Sequence, residues 1–241
     1  MASSKRDSEM TADLVLPRGE PGPIPGRKWP RPVRIANMTT TPPSRSGSSW
    51  GDLLREGTSP VQQSFLDLVK NTTNYAGYSP GVVWGNLQTP EYAAAMLRLV
   101  VDFHGIPDDI EAGVAARTAR AQYIGQEGRT CHVLLGEQAL FTNIGGADVM
   151  RGQLRRLIDA TTLPGLTLGI IPARARLLVY PGDSFSIYDD RRVEVEGFRG
   201  GETITAPERL VVFRKAFSLL QQSAVYGQPA RDLVGAAIST T

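Results

Sequence analysis

The strongest constraint on this chain lies between residues 131 and 171, where the hydrophobic period changes twice. Cys131-His132-Val133-Leu134-Leu135 reads as a strand, and Gly145-Gly146 breaks it off. Residues 147–160 then place Val149, Met150, Leu154, Leu157 and Ile158 on one helical face. Leu163-Pro164-Gly165 turns the chain into the apolar run Leu166-Thr167-Leu168-Gly169-Ile170-Ile171, closed by Pro172. Strand, helix and strand at this spacing form a βαβ unit, which predicts a parallel pair joined by a right-handed crossover.

The flanks extend this unit into one α/β domain over residues 61–241. Ser184-Phe185-Ser186-Ile187-Tyr188 and Arg192-Val193-Glu194-Val195-Glu196 alternate around Asp189-Asp190-Arg191, so they read as a hairpin with a solvated turn. Helices are expected near 207–223 and 229–238. Upstream, residues 61–71 carry an amphipathic pattern. Thr89-Pro90-Glu91-Tyr92 offers an N-cap hydroxyl, a first-turn proline and an acid at the positive end of the dipole. That helix should stop near Gly105. Another should follow Pro107, with Asp108, Asp109 and Glu111 in its first turn and Arg117 and Arg120 further on, a charge order that suits its dipole. The expected fold class is α/β: a helical N-terminal part followed by a small mixed sheet with a βαβ unit and a hairpin. No internal repeat is visible.

Residues 1–60 have a different texture. Eight of the seventeen prolines fall in the first fifty residues, together with eight Lys/Arg and four Asp/Glu. Proline at this density opposes helix and favours extended conformations. The segment reads as a proline-rich arm, either disordered or docked through Trp29, Val33, Ile35 and Trp50 on its own body or on a neighbouring subunit. An arm docked on a neighbouring subunit would make a homo-oligomer. Its charges are too scattered for a phosphate-gripping tail.

A formal charge of +2 gives no argument for nucleic acid, and the single cysteine, Cys131, rules out a disulfide framework within the chain. No run approaches the roughly 20 apolar residues of a membrane span, and no apolar segment follows Lys5 and Arg6 as a secretory signal would require. The expectation is a cytoplasmic protein with no membrane partner. One Cys and the two histidines His104 and His132 offer no ligand pair for zinc, no glycine run sits in a phosphate-loop context, and no cofactor is expected.

Three phrases, in order, carry a family likeness. They are Leu87-Gln88-Thr89-Pro90-Glu91-Tyr92-Ala93 with Val114-Ala115-Ala116-Arg117-Thr118-Ala119-Arg120; Gly136-Glu137-Gln138-Ala139-Leu140 with Gly145-Gly146 and residues 150–157; and Ile171-Pro172 with Ser184-Phe185 and Val193-Glu194-Val195-Glu196. Together, over residues 75–240, they resemble the uncharacterised effector-side domain of actinobacterial XRE-type helix-turn-helix regulators. The resemblance implies a ligand- or partner-binding pocket. In that family a helix-turn-helix occupies the N-terminal segment, whereas here the first sixty residues are proline-rich, which argues against direct DNA binding. Val83-Trp84-Gly85-Asn86 replaces the Pro-Gly-Leu-type run that usually precedes Gln88, so the pocket wall should differ at Trp84. The element order also resembles one half of a phospholipase-D-like fold. Asp183, Phe185 and Asp190 stand where that family has His-x-Lys-x4-Asp, so its phosphodiesterase mechanism does not carry over.

The candidate site residues are Trp84, Gln88, Glu137, Gln153, Arg174 and Glu196. Glu137 follows a strand and Glu196 ends one, at the edge where open α/β sheets bind ligands. They could hold a cation or act as an acid/base pair, or could equally cap turns and pair with Arg155, Arg174 or Arg176. Gln153, within an apolar helix, reads as a buried hydrogen-bonding residue. Cys131 and His132 are adjacent on a strand, point to opposite faces, and so do not form a nucleophile–base pair. Three readings follow. The first is a small-molecule- or protein-binding domain derived from a regulator without its DNA reader. The second is an enzyme of specialised metabolism that reuses the pocket with Glu137 and Glu196. The third is a structural subunit held by arm exchange.

Overall fold

A computed structural model describes Trp50–Thr241 apart from Arg199. The candidate arm anchors Trp29, Val33 and Ile35 lie outside the described residues. Seven helices and six strands are described: α1 (Trp50–Arg55), α2 (Ser59–Lys70), β1 (Asn74–Ser79), α3 (Pro90–His104), α4 (Ile110–Ala119), β2 (Thr130–Gly136), α5 (Ala147–Ala160), β3 (Leu166–Ile171), β4 (Phe185–Tyr188), β5 (Arg192–Gly197), β6 (Gly200–Ile204), α6 (Pro207–Gln221) and α7 (Gly227–Thr240). None of the described helices is long and apolar enough to cross a membrane. Helix α1 and the start of α2 fall within the segment that proline content had assigned to the arm. The proline runs end at Pro43, and Leu53 and Leu54 give the next residues an apolar side to pack.

The strands form one mixed sheet in the order β3-β2-β1-β4-β5-β6. Strands β1, β2 and β3 are parallel, with Val133 opposite both Gly77 and Leu168. Strands β4, β5 and β6 add antiparallel to them in turn. The βαβ unit and the hairpin are where the sequence placed them. Strands β1 and β6 were not expected. Asn74-Tyr75-Ala76-Gly77-Tyr78-Ser79 has little intrinsic strand character, and its ladder on both sides makes it a strand. Gly200-Gly201-Glu202-Thr203-Ile204 is likewise fixed by pairing with β5.

The hairpin turn is more than a solvated loop. Asp189 and Asp190 both have left-handed backbones, at φ 50° and 55°. The Asp189 carboxylate accepts hydrogen bonds from the backbone N–H groups of Thr73 and Asn74, at 2.9 and 2.8 Å, and so ties the hairpin to the start of β1.

Two cores flank the sheet. On one face, Tyr78, Leu134, Ile171, Phe185, Ile187 and Val193 meet Leu210, Phe217 and Leu220 of α6. The opposite face, from Tyr75, Cys131, Val133, Leu135, Leu168 and Tyr188, is covered by α2, α3, α5 and α7. Each fully buried leucine or isoleucine contributes roughly 1.5–3 kcal/mol. Adjacent strand residues serve opposite cores. Cys131 faces the larger one, where burial pushes its thiol up to about 11. His132 faces α6, with its ring edge-on to Phe217 and Nε2 3.1 Å from the Tyr226 hydroxyl.

The helical layer is stitched by long-range caps. Thr89 caps α3, its Oγ1 accepting from Tyr92 N at 3.3 Å, and Gly105 closes that helix in the left-handed region at φ 62°. Asp109 was expected to serve the first turn of α4. Instead its carboxylate accepts from the backbone N–H groups of Thr58 and Ser59 and from the Thr58 hydroxyl, all at 2.7 Å, capping α2. Burial opposes ionisation there, but these bonds outweigh it and hold the carboxyl below its ordinary value.

Candidate functional site

Where β1, β4 and β5 pass beneath α2, α3 and α4, the packing leaves a cavity of about 230 Å³. Its floor is the helix-side row of the sheet: Tyr75 and Gly77 on β1, Ser186 and Tyr188 on β4, Glu194 and Glu196 on β5. Its roof holds Gln62 and Phe65 from α2, Met96 and Val100 from α3, and Arg117 and Arg120 from the end of α4 and the 3-10 turn that follows. Residues 83–88 form one wall, with Trp84 stacked on Tyr75 at 4.8 Å between centroids.

Glycine shapes this floor. A Cβ on Gly77 would lie 2.3 Å from the Tyr75 hydroxyl, so only glycine lets that ring lie flat along the strand. The Tyr75 hydroxyl is 2.7 Å from Ser186 Oγ, a diagonal contact across the β1–β4 ladder in which Ser186 stands opposite Gly77. Burial, with Tyr188 adding to it, raises the Tyr75 phenol well above its usual value; burial likewise raises Tyr188. Both stay neutral and serve as hydrogen-bonding groups.

The roof is polar and cationic. Gln62 Oε1 accepts from Arg117 Nε at 2.9 Å and from Arg120 Nη2 at 3.0 Å. Arg117 Nη1 donates to Gln88 Oε1 at 2.8 Å, and Gln88 Nε2 donates to the Val83 carbonyl at 2.7 Å. The Arg120 guanidinium also stands 5.6 Å from the Phe65 ring centre, and a Cβ on Gly85 would lie 3.1 Å from Arg120 Nη2. Burial and the neighbouring Arg120 bring the Arg117 guanidinium down to about 9, still charged at neutral pH; burial also lowers Arg120. Glu194, 1% exposed, accepts from Arg192 and from the Thr203 hydroxyl; burial raises its carboxyl and those two partners oppose the rise.

Of the six residues singled out in the sequence, the structure places Trp84, Gln88 and Glu196 on this cavity. The other three lie elsewhere. Gln153 is fully enclosed, with its amide accepting from Thr89 N at 2.8 Å and donating to the Leu87 carbonyl at 2.9 Å. It ties α5 to the cavity wall from behind. Glu137 accepts from Ala173 N at 2.6 Å and closes the turn after β3, where Arg174 is exposed. Of the two readings open for Glu137, an acid/base pair with Glu196 or a turn cap, the structure matches the turn cap. β1 and β4 lie between β2 and β5, which at strand spacing sets the strands that carry Glu137 and Glu196 about 14 Å apart.

The residues that sequence reasoning missed are Gln62, Tyr75, Arg117, Arg120, Ser186, Tyr188 and Glu194. Arg117 and Arg120 stand at helical spacing in one of the phrases that carry the family likeness, and their place late in a helix also suits its dipole. Their turn inward depends on Gln62, which lies 55 and 58 residues upstream.

In structural comparison the chain is similar to NucT from Helicobacter pylori, with a TM-score of 0.37 and 9% identity over 70% of this chain and 92% of that one. A likeness at that level transfers neither fold detail nor activity. No curated protein matches the sequence. The family model for the domain of unknown function DUF5753 matches residues 62–236, most of the chain and nearly all of the α/β body described above. The chain belongs to the DUF5753 family.

Proposed function

We propose that this chain is a small-molecule-binding module whose ligand occupies the cavity between β1, β4, β5 and the α2–α4 layer. The observation that carries the reading is the cavity itself: about 230 Å³, walled by paired aromatic rings and roofed by oriented polar groups. Preformed concave sites with few convergent polar groups are where proteins hold small ligands. The likeness of residues 75–240 to the effector-side domain of XRE-type regulators supports a module whose bound state is read by a partner. The acid/base alternative needs Glu137 beside Glu196, whereas their strands β2 and β5 stand three strand spacings, about 14 Å, apart.

The test is a fragment screen by ligand-observed NMR on the full chain and on Val100→Trp, which places an indole in the cavity. Val100 lines the cavity and is half-buried. The expected result is a set of fragments that compete with one another and are lost together in the variant, with circular dichroism unchanged. Fragments that bind Val100→Trp as well as they bind the unmodified chain, or a screen with no binders, would overturn the proposal.

A further inference from the structure

This inference rests on the cavity reading and names the chemistry of the ligand. Arg117 and Arg120 share one acceptor, Gln62 Oε1, so their guanidinium groups are neighbours. Their other partners among the described residues are also uncharged: Gln88 Oε1, the Arg117 carbonyl at 3.2 Å, and the Phe65 ring. Among the described residues, neither arginine makes an ion pair. A guanidinium carries five N–H donors. Arg117 Nη2 and Arg120 Nη1 donate to no oxygen among the described residues, although Arg120 is only 5% exposed and both residues line the cavity.

The acids of the floor do not fill this role. Glu194 is engaged by Arg192 and Thr203. Glu196 is exposed at the rim and beyond ion-pair distance, although its charge reaches both arginines. Two neighbouring guanidinium charges without an ion-pair partner repel one another, and an anion bridging both would offset that repulsion through charge-assisted, fork-shaped hydrogen bonds. The cavity is larger than an inorganic ion needs: its volume equals that of roughly seven or eight waters. Beside the arginines, its wall includes the stacked Tyr75–Trp84 pair and the apolar Met96 and Val100.

We propose that the cavity binds a small organic oxyanion, a carboxylate or a phosphate ester, with Arg117 and Arg120 gripping its charged end and Trp84 and Tyr75 flanking its apolar body. Arg117 and Arg120 are binding residues for that anion, and Gln62 and Gln88 are positioning residues that aim them.

The experiment is calorimetry at fixed ionic strength with benzoate, phenyl phosphate, inorganic phosphate and the uncharged benzamide. Benzoate or phenyl phosphate should bind at least about tenfold more tightly than benzamide, as expected for charge-assisted over neutral hydrogen bonds. Whichever anion binds tighter identifies the headgroup, and weak binding of inorganic phosphate shows that the apolar body contributes. Arg117→Gln and Arg120→Met should abolish the preference, while Arg120→Lys should keep part of it. Should the glutamine or methionine variant fail to fold, the comparison within the unmodified chain still decides the matter. Benzamide binding as tightly as the anions, with both lost in Val100→Trp, would overturn the anion inference and leave the cavity reading standing. No binding by any probe, or binding that Val100→Trp leaves intact, would overturn both.

Discussion

The two faces of the sheet are built from the same strands, residue by residue in alternation, yet they are packed to different ends. Toward α6 the row Tyr78, Leu134, Phe185, Ile187 and Val193 meets an apolar helix face. There Gly169 is glycine because a Cβ would lie 2.6 Å from the Tyr226 ring and 2.9 Å from Leu134 Cδ2. Toward α2, α3 and α4 the alternate row is Tyr75, Gly77, Ser186, Tyr188 and Glu194, and the helices above it carry Gln62, Arg117 and Arg120. The first face is packed for stability. The second holds buried charge over a cavity, which costs stability and is the arrangement on which the proposed binding reading rests.

The comparison can be broken in three ways. The largest effect should come from Leu134→Ala on the α6 face, where the side chain is fully buried. It should lose about 2–5 kcal/mol in urea unfolding while leaving affinity for the preferred probe within about twofold; a large loss of binding by the folded variant would mean that the faces are not independent. Next is Gly77→Ala on the cavity floor. Its methyl group would displace Tyr75, because the Cβ falls 2.3 Å from the phenol oxygen, costing about 1–3 kcal/mol and weakening probe binding. Unchanged binding there would remove Tyr75 from the site. The smallest effect concerns pH. Burial on the α6 face holds His132 below its ordinary value. As pH falls through about 6.5 the unfolded chain takes up that proton first, so stability should decline below that point. His132→Gln should flatten that part of the profile in thermal unfolding at pH 7.5 and 5.5.

How much of this was legible in advance varies by residue. The βαβ unit was readable because β2, α5 and β3 each carry their own periodicity. So was the α3 boundary, because Thr89, Pro90 and Gly105 act locally. Strand β1 was not readable, since Tyr75, Gly77 and Ser79 become strand residues only between β2 and β4. Of the residues that line the cavity, Gln88 stands in a family phrase, Trp84 in a departure from the run that usually precedes it, and Glu196 at a strand end. Gln153 was read correctly as a buried hydrogen-bonding residue, yet it supports the cavity wall rather than lining the cavity. Arg117 and Arg120 were visible but assigned to the helix dipole, because a helical pattern shows which residues share a face and not what that face meets.

Sequence by itself determined the class of the fold, most of its helices, the parallel β2–β3 pair and the hairpin, all of which follow from local period and turn chemistry. Only the tertiary structure decided the order of the sheet, the cap that Asp109 places on α2, the distance between Glu137 and Glu196, and the turning of two arginines toward a cavity. Each of these depends on contacts between residues far apart in the chain, and such contacts leave no period for a sequence to show.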